Sequence, residues 1–371
     1  MTTTALPAMD VPGRGERLRA ALGPLGCDAM VVTHLTNIRY LTGFTGSAGL
    51  LVVDEDGLLL VTDGRYEEQA AAQLAASGVH AGLAIGRTVE AQRSAVAAHV
   101  AEVRRVGLEA EHVSWSGQRR FAQEWFAGAD LVATTDAVEV LRAIKDQGEV
   151  ARIETACEIA DAALASVLPL LDDGPTEAEL ARSLDEEMRR RGADDVSFAT
   201  IVAAGPNGSR PHHEPDARRI ERGDLVIIDF GALVDGYHSD MTRTIPVGGA
   251  GAVDDTRRRM LSVVTAAQAA GVAAVGPDGA TRDVDAACRR VIADAGWSEA
   301  FVHGTGHGVG LDIHEAPAVS SSSDGTLAPG HVVTVEPGVY LPGLGGVRVE
   351  DTVVVTEDGC RPLTGAPKPI P

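Results

Sequence analysis

The sequence predicts two domains, a smaller α/β domain followed by a larger α+β domain, and three observations support this. The chain of 371 residues is too long for one ordinary core. Its first third alternates apolar strand-like runs with Ala-rich helical runs. From Glu149 onward, helical runs come first and strand-like runs follow. A change of pattern near residues 141–147 sets the expected domains at residues 1–142 and 143–371.

In the first domain, residues 29–33 and 50–53 read as strands. Residues 58–61 follow across Asp54-Glu55-Asp56-Gly57, a hairpin signal. Residues 65–76 and 89–104 read as helices, and 106–108 and 131–133 as short strands. No cluster of chemically suggestive side chains stands out, so this domain is expected to be structural or to limit access for substrate. In the second domain, Val150, Ile153, Cys157, Ala160, Leu164, Val167 and Leu171 recur at three-and-four spacing, the mark of a long amphipathic helix. Pro175 precedes Thr176-Glu177-Ala178-Glu179, a capping box that opens a second helix, and Gly192 ends it. Two further helices are expected at 256–275 and 282–294.

Composition narrows the function. Hydrophobic residues make up 44% and charged residues 23%, which is globular rather than disordered. The net charge is −21, from 32 basic and 53 acidic side chains. Such a surface repels phosphate backbones and anionic lipid heads, which argues against nucleic acid and membrane partners. No apolar run approaches the roughly 18 residues of a membrane span. The first residues lack a basic segment followed by an apolar stretch, so no secretory signal is expected. Cys27, Cys157, Cys288 and Cys360 are far apart and match no metal spacing, in keeping with the reducing cytoplasm.

Three segments carry chemistry. In Asp224–Thr244, two strand-like runs flank the turn Asp235-Gly236. Pairing outward from Val234 and Tyr237 places Asp229 opposite Thr242 and Asp240 opposite Gly231. The two carboxylates then share a face as diagonal neighbours, about 7–8 Å apart at Cα. A charge within the apolar run Leu225–Phe230 is costly unless it is paired. The second segment, HGTGHGVGLDIHE, holds His303, His307 and His314 among glycines that permit close approach. It is neither a phosphate loop nor a zincin helix, since GxxxxGK[ST] and HExxH are both missing. The third comprises the strand-like runs 331–336 and 347–355, whose hairpin, centred near Gly343, brings Glu336 close to Glu350.

The candidate metal ligands are therefore Asp229, Asp240, His307, Glu336 and Glu350. Four carboxylates carry about −4, which two divalent ions neutralise and one does not. Oxygen-rich donors with one imidazole suit Mn²⁺ or Co²⁺ better than a structural zinc, and donor type alone leaves Mn²⁺, Co²⁺ and Zn²⁺ open.

These residues, in this order, resemble the aminopeptidase P and proline dipeptidase (prolidase) branch of the pita-bread metallopeptidases. NIRYLTGFTGSAG and TDGRY look like that family's creatinase-type N-terminal domain, and IIDFGALVDGYHSDMTRT, HGTGHGVGLDIHE, VEPGVY and VRVEDT its metal motifs. The resemblance implies a pita-bread α+β catalytic domain behind the smaller α/β domain. It makes Asp229 a ligand of one metal through both oxygens, Asp240 and Glu350 bridges, and His307 and Glu336 ligands of the second metal. His212, in GPNGSRPHH, matches the substrate-side histidine, and is favoured over its neighbour His213. His303 and His314 match groups that contact the substrate carbonyl or the tetrahedral intermediate, and Arg348 supports the metal shell. Two divalent metal ions per subunit, proline-containing peptide substrates and a homodimer are implied as well.

The chemistry is coherent apart from the resemblance. Paired cations acidify a bridging water and polarise the scissile carbonyl. Glu336 can carry the proton to the leaving nitrogen. His303 and His314 can donate to the oxyanion, at about 3–4 kcal/mol per donor by analogy with other oxyanion holes. The expected activity is hydrolysis of Xaa-Pro bonds, by an aminopeptidase or a dipeptidase. Methionine aminopeptidase-like and creatinase-like activities are the enzyme alternatives. A non-catalytic binding protein of the same fold is a third reading, disfavoured because all five ligand positions are intact.

Overall fold

A computed structural model describes residues 6–100 and 103–368. The chain divides into two compact units. One spans Met9–Arg142, and the other takes the chain from Ala143 onward together with residues 6–8.

The first unit is built on a six-stranded sheet in the order Gly82–Ile85, Leu58–Thr62, Leu50–Asp54, Ala29–Val32, Arg105–Glu109, Asp130–Thr134. Leu50–Asp54 pairs antiparallel with both Leu58–Thr62 and Ala29–Val32, and the other three pairings are parallel. Every residue of Ala29–Val32 and Leu50–Asp54 is buried, as continuous apolar runs covered on both faces require. Helices Pro12–Ala21, Leu35–Thr42, Glu67–Ser77, Val89–His99 and Trp115–Arg120 accompany the sheet. The helix expected over 89–104 ends at His99, because Val100 and Val103 turn into the core beneath the sheet (101–102 lie outside the described residues). Contrary to expectation, this unit does gather polar side chains. His34 and His112 stack at 3.8 Å, and Glu139 lies 3.1 Å from His112. They come from three distant segments, so no local spacing announces them.

The second unit opens with helix Gln147–Val167, capped by Asp146 and Glu149, and helix Glu177–Arg190, capped by Thr176 and Glu179 as its sequence requires. Helices Asp255–Ala274 and Thr281–Asp294 complete the helical layer. Among the described residues, the strands form four small sheets. The largest has the order Glu315–Val319, Gly306–Gly308, Val332–Val335, Asp351–Thr356, Gly359–Pro362. Another joins Met241–Pro246, Leu225–Phe230 and Ile201–Ala204.

Both hairpin registers match the sequence reading. Val234 pairs with Tyr237 and Asp229 with Thr242. Gly338 pairs with Arg348 and Leu341 with Gly345, which centres the second hairpin on Gly343. The run 347–355 is nevertheless broken, dividing into Gly345–Arg348 and Asp351–Thr356, whereas the run 331–336 ends at Val335, ahead of Pro337, and Gly338–Leu341 follows as a separate strand. Pro337 has no N–H to continue the ladder. The first hairpin likewise divides between two sheets at Gly231 and Asp240.

Gly231 marks a close backbone approach at that division. A Cβ there would lie 1.9 Å from the Ser239 carbonyl oxygen, where only main-chain movement gives relief. Gly231→Ala is expected to cost about 1–3 kcal/mol, as overpacking does, and to separate Asp229 from Asp240. Denaturant unfolding alongside metal titration checks this; unchanged values in both would show that the approach tolerates a methyl group.

Candidate metal centre

Asp229 stands on Leu225–Phe230, facing Thr242. Asp240, Glu336 and Glu350 occupy the breaks where a strand leaves one sheet and enters another. At these breaks the backbone is held by new partners: the Glu350 N–H donates to the Thr242 carbonyl at 3.1 Å, the Glu336 N–H to Thr305 at 2.8 Å, and the Thr352 hydroxyl to the Asp240 carbonyl at 2.8 Å. His307 arrives on Gly306–Gly308, where a Cβ on Gly306 would lie 2.0 Å from the Thr334 carbonyl oxygen.

These placements bring the five side chains together. One carboxylate oxygen each from Asp229, Asp240 and Glu350 lies within 4.8 Å of the other two. His307 Nε2 is 3.3 Å from Glu336 Oε1 and 3.5 Å from Asp240 Oδ2. Glu350 is 1% exposed and Asp240 5%.

The donor set fits cations. Asp229 Oδ1 and Glu350 Oε1 are buried with no hydrogen-bond partner, a costly state for carboxylate oxygens. Their sister oxygens are committed, Asp229 Oδ2 to Arg348 at 2.6 Å and Glu350 Oε2 to the Thr242 hydroxyl at 2.7 Å. His307 Nδ1 donates to the Gly308 carbonyl at 3.0 Å, which turns Nε2 toward the carboxylates. Burial pushes Asp240 and Glu350 well above the usual carboxylate range, and repulsion from Glu350 and from Glu336, respectively, adds to it. Burial also acts to raise Glu336, but the His307 hydrogen bond and charge outweigh it and bring it to about 2. Burial acts to lower His307, and the same bond leaves it raised. Concentrated negative charge, orphaned oxygens and one aimed imidazole make a cage suited to hard divalent cations.

Around it lies a cavity of about 500 Å³. His212, His303, His314 and Arg348 line it with the five residues above, and Phe198, Ile201, Pro211, Pro215 and Ile313 supply apolar wall. His212 is exposed, whereas its buried neighbour His213 donates from Nε2 to Glu177 at 2.6 Å. The guanidinium of Arg348 donates to Asp229, to Thr242 at 3.1 Å and to the Tyr340 hydroxyl at 2.8 Å. Tyr340 in turn lies 2.8 Å from His303 Nε2, while His303 Nδ1 donates to the Gly304 carbonyl at 2.7 Å. Both nitrogens of His303 are thus engaged within the chain. His314, exposed and edge-to-face with His307 at 4.4 Å, is the free ring. Burial lowers both His303 and His314, which favours neutral rings near pH 7.

Tyr340 was not singled out by the sequence reading, although the hairpin register holds the signal. Tyr340 pairs with Gly346 and Arg348 with Gly338, so Tyr340 and Arg348 are diagonal neighbours on one face.

Known proteins resemble this chain in sequence and fold over 62% to 97% of its length. The solved Xaa-Pro dipeptidase from Bacillus anthracis superposes with a TM-score of 0.91 at 38% identity, covering 97% of this chain and 99% of that one. The X-Pro aminopeptidase from Thermotoga maritima MSB8 gives 0.85 at 34% identity, over 96% and 98%. The uncharacterized peptidase YqhT of Bacillus subtilis (strain 168) is 42% identical over 357 residues, 96% of this chain and 98% of that protein. The Xaa-Pro dipeptidase of Pyrococcus furiosus is 43% identical over 229 residues, 62% of this chain and 65% of that protein. Fold and site together define a two-domain, metal-dependent peptide hydrolase of pita-bread architecture. The description of metallopeptidase family M24 matches residues 151–357, and that of the creatinase/prolidase N-terminal domain matches 14–144. The chain belongs to metallopeptidase family M24.

Proposed function

We propose that this protein hydrolyses Xaa-Pro peptide bonds, as an Xaa-Pro aminopeptidase or dipeptidase. Residues 143–371 serve as the catalytic domain and 1–142 as the creatinase-type domain. Two divalent ions would be held by Asp229, Asp240, His307, Glu336 and Glu350. The carrying observation is the pair of buried, partnerless oxygens, Asp229 Oδ1 and Glu350 Oε1, in a cluster whose imidazole faces inward. Mn²⁺ is the proposed metal, with Co²⁺ or Zn²⁺ as alternatives, and a cytoplasmic homodimer the proposed setting.

When bound, such ions supply Lewis acidity, making a water acidic and polarising the scissile carbonyl. The Glu336 carboxylate takes the water's proton and returns it to the leaving nitrogen. His314 donates to the carbonyl oxygen as negative charge develops there. Arg348 holds Asp229 in place and, through Tyr340, orients His303. The nitrogen of an Xaa-Pro bond has no N–H to recognise. Selection therefore falls to shape, which the apolar side of the cavity supplies through Phe198, Ile201, Pro211, Pro215 and Ile313.

The test is to strip metal from the protein, reload it with Mn²⁺, Co²⁺ or Zn²⁺, and assay Xaa-Pro, Xaa-Pro-Xaa and Met-Xaa peptides. Turnover of the proline series, reaching its plateau near two ions per chain, is expected. Turnover of Met-Xaa peptides alone would move the protein to the methionine aminopeptidase reading.

A further inference from the structure

Beyond the metal cage, one buried carboxylate gathers a loop of the cavity wall. Glu177 is wholly buried at the first position of helix Glu177–Arg190. Its Oε1 accepts the Ala204 N–H at 2.7 Å and the Asn207 amide at 3.0 Å. Its Oε2 accepts His213 Nε2 at 2.6 Å, Asn207 again at 3.1 Å and the Asp216 N–H at 3.2 Å. Four residues spread over positions 204–216 thus converge on one side chain, and they bracket the segment that carries His212 to the cavity. Charge-assisted bonds of this kind are roughly twice as strong as neutral ones, and the helix N-terminus stabilises the negative charge.

The cluster of Glu177, His213 and Asp216 has donor atoms close enough to suggest a metal site. Chain donors already occupy both oxygens of Glu177, so the group acts as a clamp and not as a cation cage. The clamp also accounts for the tandem histidine. His213 turns inward to Glu177, and the adjacent His212 is exposed at the cavity. Arg348 approaches the same loop from the catalytic side, 3.5 Å from the Pro211 carbonyl.

We infer that Glu177, acting through Asn207 and His213, is a positioning residue that fixes His212 at the substrate side of the cavity. This rests on the assignment of His212 to the substrate made above. Glu177→Gln presents an amide N–H₂ where the chain directs N–H donors, so at least one contact becomes donor against donor. The loop then loosens without any change to the metal ligands.

The experiment is a double-mutant cycle on the metal-loaded protein, combining Glu177→Gln with His212→Ala and measuring kcat, KM and bound metal with an Xaa-Pro peptide. Glu177→Gln alone is expected to lower kcat/KM by about 10-fold to 100-fold, chiefly through KM, with metal content unchanged. In the His212→Ala background it is expected to have less than about 2-fold further effect. Equal losses in both backgrounds would make Glu177 a general structural residue and overturn the inference. Should Glu177→Gln fail to fold, His213→Ala and Asn207→Ala each remove one donor side chain and enter the same cycle, with the same two outcomes. If wild type turns over Xaa-Pro peptides and His212→Ala is harmless, the assignment of His212 fails, and this inference with it. If wild type does not turn them over, it is the proposed function that fails.

Discussion

Asp240→Ala is expected to abolish turnover and to strip the protein of most of its metal. Asp240 is nearly buried, lies 3.5 Å from His307 Nε2, and shares a 4.8 Å cluster with Asp229 and Glu350. Each neighbouring carboxylate of that cluster has only one oxygen left to offer, since Asp229 Oδ2 is held by Arg348 and Glu350 Oε2 by Thr242, so neither has a spare oxygen to replace Asp240. Loss of several kcal/mol of transition-state stabilisation corresponds to at least about a 10³-fold fall in kcat/KM. Metal analysis after gel filtration, run beside the peptide assay, separates loss of ions from loss of chemistry. A variant that keeps both ions and near-normal turnover would remove Asp240 from the site.

The second large effect belongs to His314, which should retain metal when changed to alanine while kcat falls about 10²-fold to 10³-fold, the usual loss for one oxyanion donor. The sequence alone treats His303 and His314 as equivalent donors, and the structure separates them. His303 is tied at both nitrogens, to Gly304 and Tyr340, so its replacement acts through the Tyr340–Arg348 chain. His314 makes no hydrogen bond within the described residues and faces the cavity. Comparing kcat for the two alanine variants tests this: if His303→Ala is crippled and His314→Ala stays within about threefold of wild type, the donor has been placed on the wrong ring.

Much of this arrangement was legible in advance because hairpins follow local rules. Asp235-Gly236 and the glycines around 343 fix two registers, and a register determines which side chains share a face. Asp229 opposite Thr242 follows from counting outward from a turn. What counting does not supply is where a strand changes sheet. Nothing in the run 347–355 marks Glu350 as a break, since the break depends on what each half packs against. The clamp at Glu177 is hidden for a related reason. Glu177 reads as an ordinary first-turn acid beside a capping box, and its partners lie 27 to 39 positions away. The pair His34 and His112 has the same character, with a separation set by the sheet and not by any short motif.

The position of three acids at the joins between sheets has a thermal consequence. Ions seated there would bind together segments that share few backbone ladders, so heat would release metal and open the catalytic half in one event. Ligand present at 100 times its dissociation constant adds about 2.7 kcal/mol to the folded state. The temperature this chain withstands would therefore track the free manganese or cobalt around it, and a chelator would act as a mild denaturant.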